Sequence, residues 1–296
     1  MGQIRRLSRG MGAVRDWAVW RLPRWLAAFV LTVIAANVAA IGVAAPLTRF
    51  RGHDLILFGV LEACTAVAVE WSRRGKEQLG LTKDVQGVWE FPVAILLPPL
   101  FALLAPLPRL ALTQWRVSRA PLHRRIFSCA SIGLSYLAAS LTFHGLSRLA
   151  ADAGGGSLGR NLLWTLLVAF SAVVMSAVNK AIIMTAVKGA DPSVRIRRRV
   201  FERESLYNDL AEICIGILLT YAVAGNLFLA PAALPVITLL QRSLRHAQLL
   251  TDARADSKTG LLNAATWERE ASAEVAARCG PSRPSRSRSW TSTGSR

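Results

Sequence analysis

The stretch Trp25-Leu-Ala-Ala-Phe-Val-Leu-Thr-Val-Ile-Ala-Ala-Asn-Val-Ala-Ala-Ile-Gly-Val-Ala-Ala45 contains no charged residue and almost no polar side chain. A helix of about 20 apolar residues is long enough to cross the ~30 Å hydrocarbon core of a bilayer. A soluble helix would instead carry a polar stripe along one side. The stretch therefore predicts a membrane-spanning helix and disfavours the alternative of a soluble all-α protein.

The rest of the chain repeats this pattern. Of its 296 residues, 52% are apolar, and the mean hydropathy is +0.35. Further apolar runs cover Leu55–Trp71, Ile126–Phe143, Leu162–Ala186, Leu210–Pro231 and the shorter Ala232–Leu240. The sequence therefore predicts an all-α polytopic membrane protein with about six transmembrane helices, whose membrane domain covers residues 25–238.

The net charge of +18 raises the alternative of a nucleic-acid-binding protein. The basic residues, however, form clusters between the apolar runs, as cytoplasmic loops facing anionic lipid do. The first cluster lies in residues 1–24, a basic lead-in that contains Trp17 and Trp20 and precedes the first apolar run. We therefore expect a multi-pass protein of the inner (plasma) membrane, with the lipid bilayer rather than nucleic acid as its partner and with both termini in the cytoplasm.

The four cysteines, Cys64, Cys129, Cys214 and Cys279, are scattered singly. Three of them lie inside apolar runs, where cysteine behaves as a small hydrophobic residue. Neither a metal site nor a disulfide framework is indicated.

The apolar segment between residues 92 and 112 differs from the others because it contains five prolines, Pro92, Pro98, Pro99, Pro106 and Pro108. Each proline removes a helical hydrogen bond. If the segment crosses the membrane as one kinked helix, the arginine clusters at 116–125 and 195–199 fall outside, against the positive-inside bias. If it re-enters on the side from which it came, six crossings remain and these clusters lie inside. We favour the re-entrant form and keep the kinked helix as the alternative.

Polar side chains inside apolar runs are costly and commonly face a cavity or a partner. Glu62, Asn179 and Lys180 lie in such positions, and Asp209 and Glu212 lie near the start of another run. A Glu62–Lys180 pair or a ligand pocket is one interpretation, and a purely structural ion pair or snorkelling is the other.

After the last apolar run, residues 239–255 continue as a predicted exit helix into the cytoplasm. Apolar residues recur there at three- and four-residue spacing, in Leu239, Leu240, Leu244, Ala247 and Leu250. This seam is wide enough for a two-stranded contact but too narrow for a globular core. We therefore expect a signalling helix that forms a homodimer, the alternative being a membrane helix that simply extends beyond the lipid.

The exit helix leads to Asp256-Ser-Lys-Thr-Gly-Leu-Leu-Asn263. Asp, Ser and Thr bind local backbone groups, Gly260 permits a tight turn, and Asn263 is a good N-cap for the amphipathic helix predicted next. The pattern of Asp256, Thr259, Gly260, Leu261 and Asn263 resembles the entry motif of GGDEF domains, the diguanylate cyclases that make cyclic di-GMP. Lys258 and Ala264 depart from the family pattern Asp-x-Leu-Thr-Gly-Leu-x-Asn-Arg.

The membrane region followed by this motif resembles actinobacterial membrane-bound members of the GGDEF family. The resemblance implies an α/β catalytic domain that condenses two GTP molecules across a dimer, with Mg²⁺ held by aspartates. Residues 256–277 cover only the start of such a domain, and the chain contains no Gly-Gly-(Asp/Glu)-Glu-Phe sequence. The chain as given is therefore expected to have no catalytic residues, no cofactor and no cyclase activity.

Residues 278–296 are rich in Ser and Arg and contain no acidic residue. Read as they stand, they predict a disordered tail. Ser289–Arg296 can also be encoded so that a neighbouring frame reads Leu-Asp-Val-Asp-Gly-Phe-Lys, which resembles the GGDEF stretch that carries the first metal ligand. We therefore expect a frameshifted cyclase, and resequencing the DNA would test this. The rival function is a small-solute-binding membrane protein or transporter without enzymatic activity.

Overall fold

The computed structural model describes residues 22–74, 87–117, 122–150, 157–190 and 203–254. Several predictions therefore lie outside the described residues. They concern most of the basic lead-in, the arginine cluster at 195–199, the entry motif Asp256–Asn263, the amphipathic helix after it and the Ser/Arg-rich tail. Within the described ranges every regular element is helical, as the apolar runs predict.

Nine α-helices make up this described part. They are α1 Arg24–Leu47, α2 Gly52–Arg74, α3 Gly87–Leu96, α4 Pro99–Leu104, α5 Pro106–Leu112, α6 Leu122–Ala150, α7 Ser157–Ala190, α8 Arg203–Gly225 and α9 Leu229–Arg254. A single π-helical turn, Thr113–Val117, follows α5.

Four of the described helices are long and apolar enough to cross a membrane: Arg24–Leu47, Gly52–Trp71, Leu122–Leu149 and Leu158–Ala190. They coincide with the first four long apolar runs, so the prediction of apolar helices long enough to span a membrane is confirmed there. The remaining predicted crossings fall on α8, which is not among the four, and on Leu229–Leu240, which is a shorter apolar helix. The structure thus supports a membrane-associated helical protein, while the count of six crossings stays a prediction.

The proline-rich segment forms a helical hairpin, which we call the proline hairpin and define as residues 87–112. Glu90 in α3 and Arg109 in α5 form a salt bridge, with Arg109 Nε 3.2 Å from Glu90 Oε1. On one continuous helix these residues, 19 positions apart (109 − 90), would be separated by about 28 Å. The chain therefore turns back at Pro98 and Pro99, and the single kinked helix is not formed.

The proline hairpin lies in the interior of the bundle. Every residue from Gly87 to Ile95 is buried, and α3 packs against α2, α6 and α8. The largest buried cluster joins Trp89 and Phe101 of the hairpin to Leu61, Leu219 and other apolar side chains. Irregular backbone at membrane depth is tolerated only where protein or a cavity surrounds it, and this burial provides such surroundings.

The turn of the hairpin leaves backbone carbonyls without helical partners, because Pro98 and Pro99 have no N–H group to donate. The Leu97 carbonyl also lacks its helical donor, because the Phe101 N–H donates to the Pro98 carbonyl instead, and this carbonyl is satisfied from a neighbouring helix. Nε2 of His144 in α6 lies 3.1 Å from the carbonyl oxygen of Leu97. Since a carbonyl can only accept, His144 Nε2 carries the proton and donates this bond. His144 therefore anchors the hairpin turn to α6.

A short turn separates α8 from α9. The side-chain oxygen of Asn226 accepts a hydrogen bond of 3.0 Å from the backbone N–H of Phe228, which is the geometry of a local Asx turn. Ala230, Leu234 and Ile237 of α9 then join the largest buried cluster. The first compact unit of the chain ends at Leu239, although α9 itself remains helical to Arg254.

Candidate functional site

Lys180 on α7 forms an ion pair with Asp209 on α8. Lys180 lies ten residues before the last residue of α7, and Asp209 lies six residues after the first residue of α8. At 1.5 Å of rise per residue the two side chains sit at a similar depth, about 9–15 Å from the helix ends that the 191–202 connection joins. The pair is part-buried, with side-chain exposures of 27% and 14%.

Asn179 lies beside this pair and links α7 to α6. Ser131 Oγ donates a hydrogen bond of 3.2 Å to Asn179 Oδ1. The neighbouring residue Ala130 accepts a hydrogen bond of 3.4 Å from the Asn37 side-chain amide on α1. Polar contacts at this level therefore join three of the long apolar helices.

A cavity of about 320 Å³ opens between α3, α5, α6, α7 and α8, and we call it the polar cavity. Its volume is at the lower end of small-molecule sites, which occupy about 300–1,000 Å³. Its charged and polar lining residues are Arg109, Ser128, Ser135, Tyr136, Ser176, Asn179, Lys180, Asp209 and Glu212. Phe91, Met175, Met184 and Ile213 are among its apolar lining residues. The combination of an apolar wall and a few convergent polar groups is typical of a site for a small polar molecule.

Gly87 at the start of α3 lets the side chains of Glu212 and Tyr136 approach its backbone closely. A Cβ atom at Gly87 would overlap Glu212 Oε1 and would lie 3.2 Å from the Tyr136 hydroxyl oxygen. A larger residue at this position would therefore require the Glu212 side chain to move. The Tyr136 hydroxyl is also close enough to Glu90 and Glu212 for their charges to act on it.

Glu62 does not pair with Lys180, so the predicted Glu62–Lys180 pair is wrong. Lys180 is held by Asp209, and both carboxylate oxygens of Glu62 are buried without a hydrogen-bond partner. The charged groups that act on Glu62 are Glu90 and Arg109 of the proline hairpin. The reason is helix packing, because the helices against which α7 packs are α1, α6 and α8, whereas Glu62 lies on α2.

A second cavity, also of about 320 Å³, adjoins the first and shares Arg109, Ser128 and Ile132 with it. We call it the arginine cavity because Arg109, Arg124 and Arg125 all line it. Thr113 and Cys129 complete its polar lining. Arg125 Nη1 donates a hydrogen bond of 3.0 Å to Thr113 Oγ1, so the start of α6 is tied to the π-helical turn.

Sequence reasoning therefore located part of the site. Asn179 and Lys180 do lie together in the polar cavity, and Glu62 is not among the residues that line it. Glu90, Arg109 and Tyr136 were not predicted as site residues. The signal for the first two was present, since one acidic and one basic residue flank the proline-rich turn and a hairpin would bring them together.

Among the described residues, no three His, Cys, Asp or Glu side chains are grouped so that they could hold a metal ion. Comparisons with protein-family models, with curated protein sequences and with solved structures found no match to this chain.

Proposed function

We propose that the membrane region is the sensory part of a cyclic di-GMP signalling protein, whose parent activity is the condensation of two GTP molecules by a GGDEF domain. The observation that carries the proposal is the course of α9. This helix starts at Leu229, contributes Ala230, Leu234 and Ile237 to the largest buried cluster and continues to Arg254. It ends two residues before Asp256, the first residue of the motif that resembles a GGDEF entry.

A route from the polar cavity to α9 supports this proposal. Gly87 and Phe91 of α3 line the polar cavity. Val88, Trp89 and Val93 of the same helix belong to the buried cluster that includes Leu234 and Ile237 of α9. A ligand that shifts α3 therefore acts on a buried cluster to which the first part of α9 also contributes side chains.

The seam on α9 fits the dimer that the parent reaction requires. Two GTP molecules held by two domains must face each other, so the domains need a common axis. Leu240, Leu244, Ala247 and Leu250 recur along one side of the helix in the sequence, as in a two-stranded coiled coil. In this proposal, a change in how the start of α9 packs in the membrane domain alters the rotation or the separation of the exit helices of the two chains in the dimer.

The experiment is a chimera in which residues 1–255 are joined to a complete, active GGDEF domain from another protein, with the helix register kept. Cyclic di-GMP output is measured in membranes. One residue inserted after Gln241 rotates the following helix by about 100°, whereas seven residues restore the face of a coiled-coil seam. We expect the single insertion to change the output at least threefold and the seven-residue insertion to leave it near that of the parent chimera.

The matched control places the same single insertion after Ala255, beyond the described helix. If output is unaffected by every insertion after Gln241, α9 transmits nothing and the proposal fails. If insertions after Gln241 and after Ala255 change the cyclic di-GMP output equally, the change comes from altering the junction with the added domain. It then does not come from rotating α9.

The second candidate function is a small-solute-binding membrane protein or transporter without enzymatic activity, which the polar cavity itself favours. The two candidates differ in what a cavity variant does. Asn179→Leu replaces a polar lining group of the polar cavity with an apolar side chain beside Lys180. A signalling protein would change the chimera's cyclic di-GMP output, whereas a solute transporter would lose uptake in vesicles while the chimera's output stays constant.

A further inference from the structure

The arginine cavity gathers positive charge at the end of a predicted membrane crossing. Its described lining residues include Arg109, Arg124 and Arg125 but no Asp or Glu. Glu90, which is not in the lining, pairs with Arg109 through Nε. The three guanidinium groups thus lie around one cavity of about 320 Å³.

The arrangement of these arginines is held by hydrogen bonds. Thr113 Oγ1 donates to the Arg109 carbonyl at 2.8 Å and accepts a bond of 3.0 Å from Arg125 Nη1. The guanidinium of Arg125 is therefore oriented before any ligand arrives. The residue that orients it belongs to the π-helical turn Thr113–Val117, and such turns are found frequently at functional sites.

The guanidinium is the side chain best matched to phosphate, because its planar N–H groups can bind two oxygens at once. Like charges brought together repel one another, and an anion between them removes that repulsion. Ser128 adds a hydroxyl group to the lining. We infer that the arginine cavity is a binding site for the phosphate group of an anionic molecule.

Two sources could supply that phosphate. Arg124 and Arg125 lie in the first turn of α6, at one end of the candidate span Leu122–Leu149. Trp115 nearby is 88% exposed, and exposed tryptophan is enriched at the level of lipid headgroups. A phospholipid headgroup would reach the cavity from this level, whereas a soluble phosphate compound would enter from the aqueous side.

The test uses the purified full chain in a neutral detergent and follows thermal unfolding by tryptophan fluorescence. One arm adds phosphatidylglycerol and compares it with phosphatidylcholine of the same acyl chains. The other arm adds inorganic phosphate and compares it with chloride at equal ionic strength. A ligand present at about 100 times its Kd should raise the Tm by about 5 °C or more.

Arg124→Gln/Arg125→Gln should reduce that rise at least by half. The matched control is Arg49→Gln/Arg51→Gln, which removes two exposed arginines from the α1–α2 connection and should leave the rise unchanged. If the first variant does not fold, Arg124→Gln alone replaces it, because the Arg124 side chain is exposed.

A rise with phosphatidylglycerol alone assigns the site to a lipid headgroup, and a rise with inorganic phosphate assigns it to a soluble phosphate compound. The inference is overturned if the wild type has no higher Tm with phosphatidylglycerol than with phosphatidylcholine, and no higher Tm with inorganic phosphate than with chloride. It is equally overturned if the rise persists in full when the arginines of α6 are replaced.

Discussion

At the scale of single residues, the salt bridge between Glu90 and Arg109 connects the two limbs of the proline hairpin. The Glu90 side chain is 0% exposed and that of Arg109 is 11% exposed. Burying such a pair is expensive, and its net contribution to stability is often small. Replacing only one of the two residues is strongly destabilising, because the buried charge of the other then loses this partner.

We therefore expect Arg109→Met to destabilise the protein by about 3–5 kcal/mol, since the carboxylate of Glu90 would lose its cation inside the core. The double variant Glu90→Leu/Arg109→Met should recover most of that loss, because neither charge remains. Thermal unfolding of the two variants in the same detergent measures the difference. If the double variant is less stable than Arg109→Met, the two residues do not act as a pair.

Gly133 on α6 marks a close approach between helices. A Cβ atom there would lie 2.6 Å from the side-chain nitrogen of Asn37 and 3.3 Å from the backbone oxygen of Leu103. Gly133→Leu should therefore separate α6 from α4 and α1 and cost about 1–3 kcal/mol or more through overpacking. Gly145→Leu on the same helix is the matched control, because a Cβ atom at Gly145 meets nothing within 4 Å. Equal losses of Tm in the two variants would contradict the packing described here.

At the scale of the elements, the apolar runs predicted the four long helices because length and hydropathy are local properties of the sequence. The proline hairpin was favoured only through the positions of the arginine clusters, since prolines predict a break but not the direction of the chain after it. The partner of Lys180 was missed for a similar reason. Ion pairs depend on which helices are neighbours and on the depth of each residue, and Asp209 matches the depth of Lys180.

The proline hairpin makes a prediction about topology in the intact chain. In a cysteine-free background, single cysteines are placed at Arg51, Gly80, Trp115 and Asp256. An impermeant maleimide added to spheroplasts should label only the cysteine at 51, and inside-out vesicles should expose the other three. The reason is that a hairpin returns the chain to the side from which it entered. Labelling of 80 and 115 from opposite sides would mean that the segment crosses the membrane.

At the scale of the whole molecule, the buried hairpin lies between the elements that would receive and pass on a signal. Its residues line the polar cavity, and some of them belong to the same buried cluster as Ala230, Leu234 and Ile237 of α9. A sensory role follows from this placement only if the chain beyond α9 carries a catalytic domain. The segment Asp256–Asn263 resembles the entry of such a domain, and the residues after it contain no Gly-Gly-(Asp/Glu)-Glu-Phe sequence.

The chain of 296 residues should therefore make no cyclic di-GMP by itself. It has no Gly-Gly-(Asp/Glu)-Glu-Phe loop to hold GTP, and phosphoryl transfer of this kind depends on metal-bound carboxylates that position the substrate and neutralise its charge. Purified protein incubated with GTP and Mg²⁺ is assayed against a mock preparation, with the chimera of residues 1–255 and an intact GGDEF domain as the positive control. Activity in the chimera alone would place the catalysis in the added domain. Cyclic di-GMP from the native chain above the mock level would instead require a nucleotide site outside the family motif.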